Sequence, residues 1–318
     1  MEHFRTKGLR PDPGGLLVEW GLEGLARLAA LHPTSRPERH GVAVTRDVAY
    51  GPGRHQRLDV YRPASGKGVP VLYLHGGGFR ILSKETHWGM ALAFARKGYT
   101  VFMPNYRLAP RHPFPAGLED AAAALQWVWA RAGDWQADPK QLVLAGESAG
   151  GNFAVALAVA CAWEHPEPFA RPLFEASMPI RALLPACAML QVSDPHHRGT
   201  PSRFVRERIA VIGRDYLPGV AARQRAGPAL ADVIDHLETA PAPARPLPPL
   251  FAICGDRDPI RLDTERLTPA WRRLGGQAEH RLYHGVGHAF HAFWWTHAGK
   301  AAWRDQFAFL DEVSAKIG

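Results

Sequence analysis

Apolar residues recur along this chain with two different periods. Val42-Ala43-Val44, Asp47-Val48-Ala49-Tyr50 and Leu58-Asp59-Val60-Tyr61 alternate apolar and polar positions. That period of two predicts half-buried antiparallel strands, with a turn at Pro52-Gly53. From residue 71 onward, runs of strand length follow at Val71–Leu74, Thr100–Met103, Leu142–Ala145, Ala182–Leu190, Leu250–Cys254 and Glu279–Tyr283. Segments of helical pattern separate the first of them: His87–Lys97, closed by Gly98, then Leu118–Ala132, then Phe153–Ala160. Strands alternating with helices predict a parallel sheet covered on both faces, which places a ligand at the carboxyl ends of its strands.

Two regions stand outside this alternation. Leu16–Leu28 puts Leu22, Leu25 and Leu28 on one helical face. Between 195 and 247 two helices are expected, Arg203–Tyr216 and Leu230–Glu238, followed by the stiff proline-rich connector Pro241–Pro249. This insertion leaves and re-enters the sheet at the strand ends that would carry a site, so it reads as a lid. The division expected is a core of residues 46–194 and 248–318, with a helical cap from 1–45 and 195–247.

Composition narrows the function classes. The chain has 318 residues, a formal charge of +8, 46% hydrophobic and 21% charged residues, which is ordinary for a globular protein. Its basic residues are scattered and form no block or recognisable nucleic-acid module, so no nucleic-acid partner is expected. Cys161, Cys187 and Cys254 each lie in an apolar segment and read as buried thiols, neither a disulfide framework nor a metal site. Met1–Lys7 lacks the apolar core of a signal peptide, and no charge-free run reaches membrane-spanning length. A cytoplasmic protein without a membrane span is the expectation.

The candidate chemistry centres on Gly146-Glu147-Ser148-Ala149-Gly150, between an apolar strand and an apolar helix. A serine on so sharp a turn is lifted above the sheet edge, and the N–H of Ala149 points into the same space at a helix N-terminus. The bare pattern also fits a plain tight turn; what separates the two is whether partners exist. His75-Gly76-Gly77-Gly78-Phe79 follows a strand and can aim backbone N–H groups at one point, with His75 orienting the loop. A phosphate loop would need the lysine and hydroxyl of a Walker motif, which this stretch lacks. Where a serine nucleophile sits on such a turn, the acid and then the base follow in chain order. Gly255-Asp256-Arg257-Asp258-Pro259 ends a strand, and Pro259 fixes the backbone of Asp258, which makes Asp258 the acid. Asp256 is expected to cap the turn or pair with Arg257. Of the downstream histidines, His288 lies on the loop that faces Ser148 and is the expected base.

These motifs, together with Tyr106-Arg107-Leu108-Ala109-Pro110 and His112-Pro113-Phe114-Pro115-Ala116, resemble the bacterial hormone-sensitive-lipase-like group of α/β-hydrolases, the family IV esterases. The resemblance implies an α/β-hydrolase fold: an eight-stranded, mostly parallel sheet flanked by helices, under a helical cap. It also implies carboxylesterase activity on short acyl chains, with Ser148, Asp258 and His288 as the triad and Gly77, Gly78 and Ala149 as oxyanion donors. There are departures: Arg111 stands where the family usually has Glu, Leu262 where an acidic residue is common, and Ala289 where a glycine often follows the histidine. They touch loop geometry and substrate preference, not the reacting groups.

The function expected is therefore a serine carboxylesterase acting on a small-molecule ester through an acyl-enzyme, with no cofactor and no metal. An amidase, arylformamidase or lactonase with the same triad is the alternative within enzymes, and a non-catalytic small-molecule receptor the alternative outside them. Trp20, Phe204 and Tyr216 are the aromatic candidates for the cap pocket. Phe290, Phe293, Trp294 and Trp295 are expected in the core; a homodimer surface is the other reading.

Overall fold

The computed structural model describes residues 35–194, 202–219 and 228–316, together with Gly21, Gly24 and His32. Trp20 and, apart from those two glycines, the expected Leu16–Leu28 helix lie outside the described residues. Eight strands form one sheet: β1 (Val42–Ala49), β2 (Arg57–Pro63), β3 (Pro70–Leu74), β4 (Thr100–Pro104), β5 (Val143–Glu147), β6 (Ala182–Ala186), β7 (Leu250–Gly255) and β8 (Ala278–Tyr283). Their order is β1-β2-β4-β3-β5-β6-β7-β8. The β1–β2 and β2–β4 pairs are antiparallel, and all later pairs are parallel.

Helices cover both faces: α1 (Trp88–Ala95), α2 (Ala116–Arg131), α3 (Ala149–Ala162), α4 (Arg171–Ala176), α5 (Arg203–Tyr216), α6 (Val233–Thr239), α7 (Arg261–Arg273) and α8 (His297–Ala315). Every residue of β3, β4, β5, β6 and β7 is buried, as their apolar runs require of strands packed on two sides. Every residue of α3 is also buried. Its all-round apolar sequence is explained by that position, not by a membrane. Among the described residues no helix is long and apolar enough to cross a membrane.

One strand is shorter than its apolar run. The run Ala182–Leu190 reads as strand throughout, but β6 stops at Ala186 and Cys187 takes a left-handed φ of +38°. Cys187 still donates its N–H to Ile253 O of β7, and the residues after it are buried by wrapping over α3. Asn152 Nδ2 donates to the carbonyl of Met189 at 2.8 Å, and Leu190 N–H donates to Asp263 at 2.7 Å.

The aromatic tail also departs from expectation. Phe290 is buried, but Phe293, Trp294 and Trp295 are exposed. A short 3-10 turn at Phe290–Ala292 buries Phe290 and His291 and swings the next three residues outward before α8 begins.

Candidate active site

Backbone crowding at the β5–α3 turn dictates its glycines. A Cβ on Gly146 would lie 2.3 Å from the Gly150 carbonyl oxygen, and one on Gly150 would lie 2.0 Å from that of Leu74. Only glycine admits this approach. Ser148 between them has φ 53° and ψ −114°, outside the regions ordinary residues occupy. Its N–H donates to Ala186 O at 2.9 Å, and its carbonyl accepts from Asn152 and Met189. The turn is thus pinned on both sides and holds the serine side chain at the carboxyl edge of the sheet.

His288 and Asp258 arrive at the same edge from the loops after β8 and β7. His288 Nε2 lies 3.0 Å from Ser148 Oγ, and His288 Nδ1 lies 2.8 Å from Asp258 Oδ2. The carboxylate can only accept, so Nδ1 carries the proton and the neutral ring presents Nε2 as an acceptor to the serine hydroxyl. Asp258 is buried and held by Ile260 N–H, which donates to its other oxygen at 2.9 Å. Burial alone would push the His288 imidazole down; Cys187 and Asp258 outweigh it and hold the ring well above its ordinary value of 6.5.

Asp256 is engaged elsewhere. It accepts from Gly285 N–H at 2.8 Å and meets His284 Nδ1 at 2.7 Å, so it ties the β7 and β8 loops together instead of pairing with Arg257. Two of the other downstream histidines are also committed: His280 to Thr268, and His291 to a buried position beside Glu147.

The glycine loop after β3 packs directly on the serine turn. A Cβ on Gly76 would lie 2.7 Å from Glu147 Oε1. Gly77 has φ +118°, and a Cβ there would meet Ile81 O at 2.0 Å. His75 stays beneath the loop: it stacks on Tyr106 with ring centroids 4.1 Å apart, and Tyr106 OH donates to its carbonyl at 2.6 Å. Burial pushes the His75 imidazole down to about 3, so it is neutral and structural. The Tyr106–Pro110 motif holds the loop's far side as well, through Ala109 N–H to Phe79 O at 2.8 Å.

Glu147 had no role legible in the sequence. Its carboxyl is buried between His87 Nε2 at 3.7 Å and His291 Nε2 at 3.5 Å. Burial pushes it up, but His87 and the neighbouring imidazoles bring it down to about 2. His87 in turn accepts from Gly76 N–H at 3.2 Å. Glu147 is thus the buried anion under the glycine loop. The adjacent departure at Leu262 is also resolved: Asp263, one residue on, is the buried acid that accepts from Leu190 and Gln191.

Helix α5 lies over the glycine loop. A Cβ on Gly78 would sit 2.8 Å from Ile212 Cδ1, and Arg80 pairs with Asp215 at 2.9 Å. Of the aromatic candidates on this helix, Tyr216 is fully buried against Phe79, whereas Phe204 faces solvent.

The sheet order and the serine on its central turn define an α/β hydrolase. Residues 71–292 match the family described as alpha/beta hydrolase fold. The chain belongs to that family, in its hormone-sensitive-lipase-like branch. A Mycobacterium tuberculosis protein named carboxylesterase NlhH is 31% identical over 228 residues, 68% of this chain and 65% of the relative. The match therefore spans just under two thirds of that relative's length. Among solved structures, a hyperthermophilic esterase from the archaeon Pyrobaculum calidifontis superposes with a TM-score of 0.76 at 27% identity, over 96% of this chain and 93% of the other. Esterase LipW from Mycobacterium marinum superposes with a TM-score of 0.79 at 25% identity, over 95% and 91%.

Proposed function

We propose that this protein is a serine carboxylesterase acting on short- to medium-chain acyl esters. The observation that carries the reading is the hydrogen-bonded line Ser148–His288–Asp258. Similarity to proteins named as carboxylesterases and esterases supports the substrate class.

In this reading Ser148 Oγ attacks the ester carbonyl as His288 Nε2 takes its proton. The carbonyl oxygen gains the negative charge and is received by the N–H groups of Gly77, Gly78 and Ala149, where a single donor contributes about 3 kcal/mol. His288 returns the proton to the departing alcohol and leaves an acyl group on Ser148. A water then attacks the acyl carbon, giving its proton to His288, and the ring hands it back to Ser148 as the carboxylic acid departs. Asp258 keeps the Nδ1–H tautomer and stabilises the imidazolium formed in each half-reaction.

The insertion carrying α5 acts as the cap. Ile212 over Gly78 and the Arg80–Asp215 pair support that placement. Three unpaired, buried cysteines support a reducing, cytoplasmic location.

The test is a p-nitrophenyl ester series from acetate to palmitate beside matched anilides. The expected outcome is fast turnover of the short esters, declining with chain length, and slower anilides. Anilides turned over faster than esters would give the protein to the amidases instead.

A further inference from the structure

Cys187 stands at the centre of the site, and the ester mechanism gives it no task. β6 ends just before it, and its N–H donates to Ile253 O at 2.7 Å. Cys187 takes φ +38°, and its thiol is buried at 1% exposure beside the triad. Its sulfur, a carboxylate oxygen of Asp258 and a ring nitrogen of His288 all lie within 4.8 Å of one another. Among the described residues, no other set of three cysteine, histidine or acidic side chains converges this closely. The buried Glu147 group does not: its two histidines face separate carboxylate oxygens, and His87 Nε2 already accepts from Gly76.

Thiolate, imidazole and carboxylate together form a donor set for a borderline-soft cation with an open fourth position. Side-chain exposure of 36% at His288 gives such an ion a route in. Donors sharing a tetrahedral ion stand roughly 3.3–3.8 Å apart, given bonds of about 2.0–2.3 Å. The Asp258–His288 pair would therefore open by several tenths of an ångström and the sulfur would close in.

We propose that Cys187 Sγ, the Asp258 carboxylate and His288 Nδ1 form a binding site for a soft divalent cation, zinc or cadmium, whose occupation switches the hydrolase off. The proposal rests on the reading of His288 as the general base. As the metal–sulfur bond forms, the Cys187 thiol releases one proton to solvent. The ring proton leaves Nδ1 for the metal–nitrogen bond to form and is regained at Nε2, so the imidazole keeps its proton count and nothing is oxidised or reduced. Nε2 is then a donor facing Ser148 Oγ and cannot take the serine proton.

The test uses chelator-treated full-length protein titrated with cadmium chloride. The thiolate-to-cadmium absorption in the ultraviolet and hydrolysis of p-nitrophenyl acetate are followed together, with zinc as a second inhibitor. Wild type should show the band and lose activity with one midpoint, both reversed by EDTA. Cys187→Ala should lose the band and require at least about tenfold more metal for half-inhibition, read against its own metal-free rate. Cys187→Ser serves the same purpose if the alanine variant does not fold, and Cys161→Ser and Cys254→Ser should respond as wild type. A band retained in Cys187→Ala, or unchanged metal sensitivity there, overturns the proposal. An inactive wild type that still shows the Cys187-dependent band would count against the esterase reading, not the site. An active wild type without the band would count against the site alone.

Discussion

Phe79 of the glycine loop and Tyr216 at the end of α5 stack face to face, with ring centroids 3.9 Å apart and planes 8° apart. Phe79 directly follows the two proposed oxyanion donors and itself has φ +62°. The stack therefore fixes the insertion to the loop whose shape the chemistry depends on. Tyr216→Ala should destabilise the protein by about 3–5 kcal/mol, as truncating a buried aromatic does, and lower kcat/KM for esters. Tyr216→Phe should be close to wild type, because the hydroxyl is buried without a hydrogen-bond partner among the described residues. Denaturant melts with ester kinetics on both variants decide this. An alanine variant as stable as wild type would show that the stack holds nothing.

The glycine loop tolerates no side chain at its first proposed donor. Gly77→Ala must move Ile81 or abandon φ +118°, and either shift displaces the N–H. We expect kcat to fall by roughly 10²–10³, the cost of one lost donor, while circular dichroism stays native. Gly89→Ala in α1 is the control. Nothing lies within 4 Å of its Cβ position, so it should stabilise the helix by about 0.5–1 kcal/mol and leave turnover unchanged.

The proton affinity of His288 makes activity pH-dependent in a stated direction. The base must be neutral to act, and its pKa is raised, so activity should fall on acidification with a midpoint above the ordinary 6.5. Asp258→Asn removes one of the groups that raise it. The acid limb should then move to lower pH while kcat drops by about 10⁴ through the wrong tautomer. The stability contribution has the opposite sense: it is fully present below pH 6.5 and is lost as pH rises through the folded-state value. A rate–pH profile of both proteins checks it, and an unmoved acid limb in the variant would count against the pairing.

Lys84 anchors the far end of the same loop. It is 2% exposed, and its Nζ lies 2.8 Å from Asp59 Oδ1 and 2.6 Å from Glu85 Oε1. Asp59 is equally buried, and its other partners are Arg46 at 3.2 Å and the N–H of Asp47 at 3.0 Å. Lys84→Met should cost about 3 kcal/mol by leaving a buried carboxylate short of its partner. Burial pushes the Glu85 carboxyl up, but Lys84 and Ser83 bring it down to about 2. Its stabilisation is thus present above pH 4.5 and fades as pH falls toward 2, so the gap between wild type and variant should narrow on acidification. A gap that widens with acid would contradict this.

Much of the fold, and the meeting of Ser148, His288 and Asp258 at one sheet edge, were legible in the sequence. Period-two alternation located β1 and β2, and buried runs located the parallel strands. Strand ends followed by Ser148, Asp258 and His288 put three reactive side chains at one edge. What the sequence hid has physical reasons. An apolar run does not distinguish a paired strand from coil buried over a helix, so Ala182–Leu190 overran β6. Apolar character alone did not distinguish Phe290, turned inward, from Trp294 and Trp295, turned outward by the 3-10 turn between them. Glu147 and His87 are far apart in sequence and meet only because β5 and the residue before α1 lie on either side of Gly76. The thiol of Cys187 reads as core by composition; past the end of β6 it comes within 4.8 Å of a ring nitrogen of His288.

The most direct test of the central claim is covalent labelling by a p-nitrophenyl organophosphate, followed by intact mass and peptide mapping. If Ser148 is the nucleophile, one adduct should form, on the peptide spanning Ser148, in step with the loss of ester hydrolysis, and Ser148→Ala should take no label and hydrolyse about 10⁴-fold more slowly or worse. Label on another residue, or a Ser148→Ala variant that keeps wild-type turnover, would contradict the account.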